Sequence, residues 1–156
     1  MEIINFEKEF VKRTKSIIED KLADDFLYHV TLLLNCLVGL ISLPTEMTED
    51  EDKEFKEICV NKLKNMNVII AFKNNDKLFR AIRNSISHMN IELKNKDSYI
   101  NTIVFKDREC HREYKEPIHT KLEFTVPQLK EFALFIADKH LERCEKQECE
   151  NTSMNF

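Results

Sequence analysis

The stretch DKLFRAIRNSISHM, residues 76–89, predicts a helix with two contrasting faces. At about 100° per residue, its apolar side chains fall on one side, which is the spacing of a buried helix face. They are Leu78, Phe79, Ile82, Ile86 and Met89. The opposite side is polar throughout and, with the residues just before it, carries Lys73, Lys77, Arg80, Arg83, Asn84, Ser87 and His88. We therefore expect this helix to pack on a core and to present a polar face.

That polar face lies in the most basic part of an acidic chain. From Lys73 to Lys96 there are six bases and two acids, a net charge of +4, whereas the whole chain of 156 residues has a net charge of -4. A protein that coats duplex DNA is usually basic throughout. Any contact with nucleic acid is therefore expected to be local, at this cationic face, which would attract an anion. Charge alone, however, is more typical of a solvated helix surface.

The order of residues on this face indicates a phosphoryl-transfer site. Arg83 to His88 fits the pattern R-x4-H, with Asn84 directly after the arginine. A guanidinium can clamp a phosphate, and an imidazole can move protons near neutral pH. Asn84 and His88 are four residues apart, so their side chains share a helix face and can touch.

The rest of the chain predicts more helices and one β-hairpin. Helices are expected over residues 5–22, 26–42 and 55–66, with residues 45–52 forming a loop or a helix start. The stripe of the first helix consists of Phe6, Phe10, Ile17, Ile18 and Leu22. Asp24 and Asp25 are candidate caps for the second helix.

Ile100 to Phe105 and Lys121 to Thr125 have the β-branched or alternating patterns of paired antiparallel strands. Thr125 can cap a last helix, with Pro127 in its first turn. The expected fold class is mainly α: a bundle of about five helices with a small antiparallel β-hairpin before the last one. We expect a single domain over residues 1–146 and a frayed polar tail over residues 147–156.

Cysteine spacing and hydropathy favour a cytoplasmic protein without a metal or cofactor. The five cysteines, at irregular spacing, predict reduced thiols and form no paired motif of a zinc site. They are Cys36, Cys59, Cys110, Cys144 and Cys149. Residues 26–43 are nearly all apolar, but a helix of that length spans only about 27 Å, so we expect a buried core helix and no membrane partner. The N-terminal stretch MEIINFEKEF lacks the character of a signal peptide.

Four stretches together resemble one protein family. FRAIRNSISH, residues 79–88, resembles the R-x4-6-H signature of the HEPN superfamily, in which Asn or Asp often follows the arginine. NCLVGLISLPTE, residues 35–46, is similar to the N-x-L-x-G-L-x-x-x-P-x-E run of a plasmid-associated branch of HEPN nucleases. INTIVFKD at 100–107 and FTVPQLKEF at 124–132 also resemble that branch, so the resemblance covers about residues 20–140.

The resemblance implies a HEPN-like bundle that forms a homodimer, with both R-x4-H motifs at one composite active site. It implies a metal-independent endoribonuclease in which Arg83 stabilises the phosphorane, His88 is general acid or base, and Asn84 positions it. Lys73, Lys77, Arg80 and Ser87 would bind the RNA. A role as toxin or phage-defence effector, with an antitoxin or regulatory partner, would follow.

Two features of the resemblance leave questions open. Some HEPN toxins have a tyrosine two residues after the histidine, where a partner modifies it, but this chain has Asn90. Asn35 and Glu46 match the branch pattern, and each has either a site role or a structural one, Asn35 in a buried hydrogen bond and Glu46 in capping a loop. The alternative functions are a non-catalytic HEPN-like RNA- or nucleotide-binding module or toxin–antitoxin component, and a plain helical interaction protein.

Overall fold

The computed structural model describes residues 3–20, 29–43, 47–71, 77–107 and 120–153. Within these ranges it has five α-helices and four β-strands, which confirms the predicted fold class. The helices are α1 (Ile3–Asp20), α2 (His29–Ser42), α3 (Glu49–Asn65), α4 (Leu78–Ser87) and α5 (Val126–Ser153). The strands are β1 (Ile69–Ala71), β2 (Ile91–Lys96), β3 (Tyr99–Asp107) and β4 (Thr120–Thr125).

Contacts divide the chain into two units. The first unit is residues 1–43 with 130–156, and the second is residues 44–129. The single domain over residues 1–146 and the frayed tail stay predictions, and α5 itself extends to Ser153.

The first unit has a helical core. Its fully buried side chains come from α1, α2 and α5 and include Val11, Ile18, Leu33, Leu37, Leu40, Phe132, Ile136 and Cys144. Ion pairs join α1 to α5, from Lys8 to Glu148 and from Lys15 to Asp138, each at 2.6 Å. The later residue of α1, Lys15, pairs with the earlier residue of α5, Asp138, so the two helices run antiparallel.

The predicted apolar stripe of α1 is partly wrong. Phe6 is 62% exposed and Ile17 is 38% exposed, whereas Val11 and Thr14 are buried. The buried stripe is therefore centred on residues 11, 14 and 18, and Glu7 begins it one turn earlier. Leu22 lies outside the described residues, as do the proposed caps Asp24 and Asp25.

The second unit is built on a four-stranded antiparallel sheet in the order β1-β4-β3-β2. Ile103 pairs with Phe124 and Phe105 with Leu122, so these four buried side chains share one face. The opposite face carries ion pairs between strands, from Lys106 of β3 to Glu92 of β2 and, across β3, from Lys94 of β2 to Glu123 of β4 at 3.0 Å. Helix α4 packs against β3.

Capping interactions set where two helices begin. Thr48 and Glu51 form a reciprocal capping box at the start of α3, so the described part of the stretch 45–52, which begins at residue 47, contains a helix start. The predicted cap of the last helix is confirmed: the Gln128 N–H donates to Thr125 Oγ1 at 3.3 Å. In return the Thr125 N–H donates to Gln128 Oε1 at 2.9 Å.

Helix α4 is shorter than its sequence pattern suggests. It ends at Ser87, and the chain turns at Met89, whose φ is 54°. Met89 was predicted to be core but is 84% exposed, because its side chain no longer follows the helical spacing. Ile86 is half-buried, and Ser85 is buried and donates to the Ala81 carbonyl at 2.7 Å.

Candidate functional site

The buried face of α4 fixes the helix against its neighbours. Its buried residues are Leu78, Phe79, Ala81, Ile82 and Ser85. The ring of Phe79 contacts that of Phe55 on α3, with centroids 5.6 Å apart. Since α4 also packs against β3, contacts with two elements hold the helix and give its remaining face a defined orientation.

The outer face of α4 holds the candidate site residues. Arg80, Arg83, Ser87 and His88 are exposed, and Asn84 is half-buried. Lys77, at the N-cap, is exposed too. Lys73 lies outside the described residues. Helix α4 contains no Asp or Glu, so this outer face is cationic along its length.

Arg83, Asn84 and His88 come from the last turns of α4. His88 is the C-cap residue, and its backbone N–H donates to the Asn84 carbonyl at 2.9 Å. One helical turn of about 6 Å separates Asn84 from His88, and Arg83 lies on the flank of the same face. Within the described chain these three side chains form no hydrogen bond or ion pair, so positioning of His88 by Asn84 stays a prediction.

Among the described residues near α4, ion pairs neutralise some of the positive charge that the sequence places beside this helix. Lys94 of β2, which belongs to the basic stretch of the sequence, pairs with Glu123 of β4. Hydrogen bonds from Lys94 and then Lys121 lower the pKa of the Glu123 carboxyl below its usual range. Glu92 is paired with Lys106 in the same manner. Arg80 and Arg83 have no such carboxylate partner among the described residues.

Other residues with candidate chemistry belong to elements other than α4. His140 of α5 is buried, and burial followed by the charge of Arg143 lowers its pKa to about 4. Sequence analysis missed it, although the spacing from Ile136 places it on the buried face of α5. Cys36, Cys144 and Cys149 are free thiols, and burial raises the pKa of Cys36 and Cys144. The described ranges contain no group of three or more His, Cys, Asp or Glu side chains that could hold a metal ion.

Of Asn35 and Glu46, the two residues whose roles the sequence left open, the structure describes Asn35. Asn35 is exposed on α2, so the interpretation that it satisfies a buried hydrogen bond is wrong. Glu46, Cys110 and the histidines His111 and His119 lie outside the described residues.

Comparison with known proteins places the chain in one family. Within the described ranges, no helix combines the length and the apolar character that a membrane span requires. No curated protein and no solved structure matches the chain significantly. The model of one family, HEPN pEK499 p136, matches residues 1–147 and so takes in α4, its R-x4-H motif and the whole sheet. The chain therefore belongs to the HEPN pEK499 p136 family.

Proposed function

We propose that the protein is a metal-independent endoribonuclease whose active site is the exposed face of α4. The observation that carries this proposal is the placement of Arg83 and His88 together on the cationic side of a helix whose other side is buried. Membership of a HEPN family supports it, because the R-x4-H motif resembles the signature of HEPN nucleases.

The proposed reaction needs no atom beyond those of the RNA and two proton carriers. A ribose 2′-OH attacks the adjacent phosphorus, and the bond from phosphorus to the 5′-oxygen breaks. The products are a 2′,3′-cyclic phosphate and a 5′-OH. His88 takes or supplies a proton, Arg83 neutralises the charge of the phosphorane, and Asn84 orients the imidazole.

The substrate is single-stranded or looped RNA. Proteins contact RNA bases mainly in single-stranded loops and ends, where the bases are not stacked in a duplex. A short cationic helix face can contact the backbone and bases of such a segment. Lys77, Arg80 and Ser87 would hold the flanking phosphates on α4, together with Lys73.

We propose a homodimer with both α4 faces at one cleft. The reaction uses a base for the 2′-OH and an acid for the leaving 5′-oxygen, but the motif supplies one histidine per chain. A two-fold axis through the cleft supplies the second His88. The like charges of the two faces would be offset by the phosphates that lie between them.

A cytoplasmic toxin or phage-defence effector is the role that this activity suits. Such an enzyme is harmful unless restrained, so an antitoxin or regulatory partner is part of the proposal. The partner would not act by modifying a tyrosine two residues after His88, because this chain has Asn90 there.

RNA binding without cleavage is the second candidate function. It is favoured by one observation, namely that the side chains of Asn84 and His88 are not hydrogen-bonded to each other in the described chain. A binding module would use Arg80 and Arg83 for phosphate and would need no aligned imidazole.

The test is incubation of purified protein with cellular RNA in EDTA. Wild type is compared with His88→Ala, Arg83→Ala and the control Arg13→Ala, which removes an exposed cation on α1. We expect wild type and the control to cleave, Arg83→Ala to bind and cleave less, and His88→Ala to bind but cleave at least about 100-fold more slowly. A His88→Ala rate within about threefold of wild type contradicts the assignment. Saturable binding by a wild type that does not cleave favours the binding module.

A further inference from the structure

Helices α3 and α4 end in the same backbone motif. At the end of α4, the Met89 N–H donates to the Ile86 carbonyl at 3.2 Å and the Asn90 N–H to the Ser85 carbonyl at 2.8 Å. At the end of α3, the Asn67 N–H donates to the Lys64 carbonyl at 3.0 Å. The Val68 N–H donates to the Leu63 carbonyl at 3.1 Å. Both are Schellman motifs, which require one residue in the left-handed conformation.

The residue in that conformation differs between the two helices. Asn67 has a φ of 56° and Met89 a φ of 54°. Glycine is usual at this position and asparagine is tolerated, whereas a long side chain such as methionine is strained there. Met89 therefore occupies a position that its own backbone preference disfavours.

Packing among the described residues does not offset this strain. At the end of α3, the next residue, Val68, is buried with 7% exposure and so supplies the usual apolar contact. At the end of α4, the next residue is Asn90, which is half-buried and polar, and Met89 is 84% exposed. Because strained backbone positions cluster at functional sites, the uncompensated strain at Met89 points to an interaction outside the chain.

The surroundings of Met89 indicate what that interaction is. Met89 directly follows His88 and lies at the end of the cationic face that carries Arg80 and Arg83. In the proposed homodimer the two cationic faces need an anion between them, and RNA is the complementary occupant, because a nucleotide offers phosphate to the arginines and an aromatic base to the methionine. A thioether is flexible and polarisable, and it packs well on aromatic rings.

We propose that Met89 contacts a nucleobase of the bound RNA beside the phosphate that His88 and Arg83 address. This contact would hold the nucleotide in register with the imidazole. The proposal rests on the RNA-binding face assigned above, and it adds a residue outside the R-x4-H motif that touches the substrate.

The test uses two fluorescent oligonucleotides that cannot be cleaved: a 2′-O-methyl RNA and an abasic strand of equal length. Met89→Gly should raise Tm, because glycine relieves the left-handed strain. It should weaken binding of the 2′-O-methyl RNA by about two- to tenfold, the size of a sulfur–aromatic contact. It should leave binding of the abasic strand unchanged, because that strand offers phosphates and no bases.

Two further variants make the result specific. Met89→Leu keeps an apolar side chain and should bind within about twofold of wild type. Asn67→Gly places glycine in the same motif of α3 and should leave RNA affinity unchanged. Equal binding of the 2′-O-methyl RNA by wild type and Met89→Gly overturns the proposal. A loss of dimer mass in Met89→Gly at equal RNA affinity also overturns it, and it identifies a contact between copies.

Failure of this inference is distinguishable from failure of the proposed function. A wild type that cleaves RNA, beside a Met89→Gly variant that binds and cleaves equally well, overturns only the role of Met89. A wild type that binds but does not cleave, with weaker binding in Met89→Gly, supports the base contact and contradicts the ribonuclease.

Discussion

The Nε2–H of His140 donates a hydrogen bond to the backbone carbonyl oxygen of Leu40, 3.1 Å away, and so joins α5 to α2 within the first unit. His140 is 2% exposed. Burial, and then the positive charge of Arg143, lowers its pKa from 6.5 to about 4. A neutral imidazole is therefore part of the core.

Stability should fall as the pH falls through the window between these two pKa values. The unfolded chain takes up a proton at His140 near pH 6.5, but the folded chain resists it down to about pH 4, so acid favours unfolding. The expected contribution is about 2–3 kcal/mol on going from about pH 7.5 to about pH 4.5. Urea unfolding of wild type and His140→Gln, which keeps an N–H donor for Leu40, checks this. Identical pH profiles for the two proteins would show that His140 is not the group responsible.

The pair of Glu7 and Arg143 should matter more to stability than the pairs on the surface. Their side chains are only 11% and 13% exposed. Glu7→Gln leaves a largely buried guanidinium without its counter-charge and should cost about 3 kcal/mol of unfolding free energy. The control is Glu142→Gln, which breaks the more exposed pair with Lys139 and should cost less than about 1 kcal/mol. Equal urea midpoints for the two variants would contradict the buried role.

Gly39 should be required because α1 approaches α2 closely there. A Cβ on residue 39 would lie 3.0 Å from Cζ of Phe10 and 3.4 Å from its Cε1. Gly39→Leu should therefore destabilise the protein by about 1–3 kcal/mol, and most of that loss should disappear in a Phe10→Ala background. Asn35→Leu, an exposed change on the same helix, is the control, with an expected effect within about 0.5 kcal/mol. Additive losses from Phe10→Ala and Gly39→Leu would show that the two positions are not coupled.

A composite active site should respond non-linearly when active and inactive chains are mixed. If each site needs His88 from both copies, an equal mixture of wild type and His88→Ala contains only about one-quarter active dimers. RNA cleavage, followed after subunit exchange at constant total protein, should then fall to about one-quarter of the wild-type rate. A fall to about one-half would mean that each chain acts independently. Arg13→Ala in place of His88→Ala should leave the rate of the mixture unchanged.

Much of the fold was predictable because it depends on strong local signals. The amphipathic pattern of α4, the β-branched run of β3 and the capping by Thr125 each determine structure over a few residues. By contrast, β2 reads IELKNK and was missed, since its apolar alternation covers only four residues and an exposed edge strand needs no longer apolar pattern. The three residues of β1 are too few to show a period.

The candidate site was predictable in its residue types but not in its surroundings. A helical wheel places Met89 in the core, because it assumes that the helix continues, but the left-handed turn at Met89 ends it. Ser85 is buried because its hydroxyl bonds to its own helix, which a hydropathy pattern does not reveal. Lys94 looks like part of the basic face until its long-range partner, Glu123, is known.

The ends of the products formed from a defined oligoribonucleotide in EDTA test the central claim most directly. Mass spectrometry should find a 2′,3′-cyclic phosphate on one fragment and a 5′-OH on the other, and neither product should form with His88→Ala or with an all-deoxy strand. Fragments that end in a 3′-OH and a 5′-phosphate would contradict the account, because such ends require attack by water instead of by the 2′-OH.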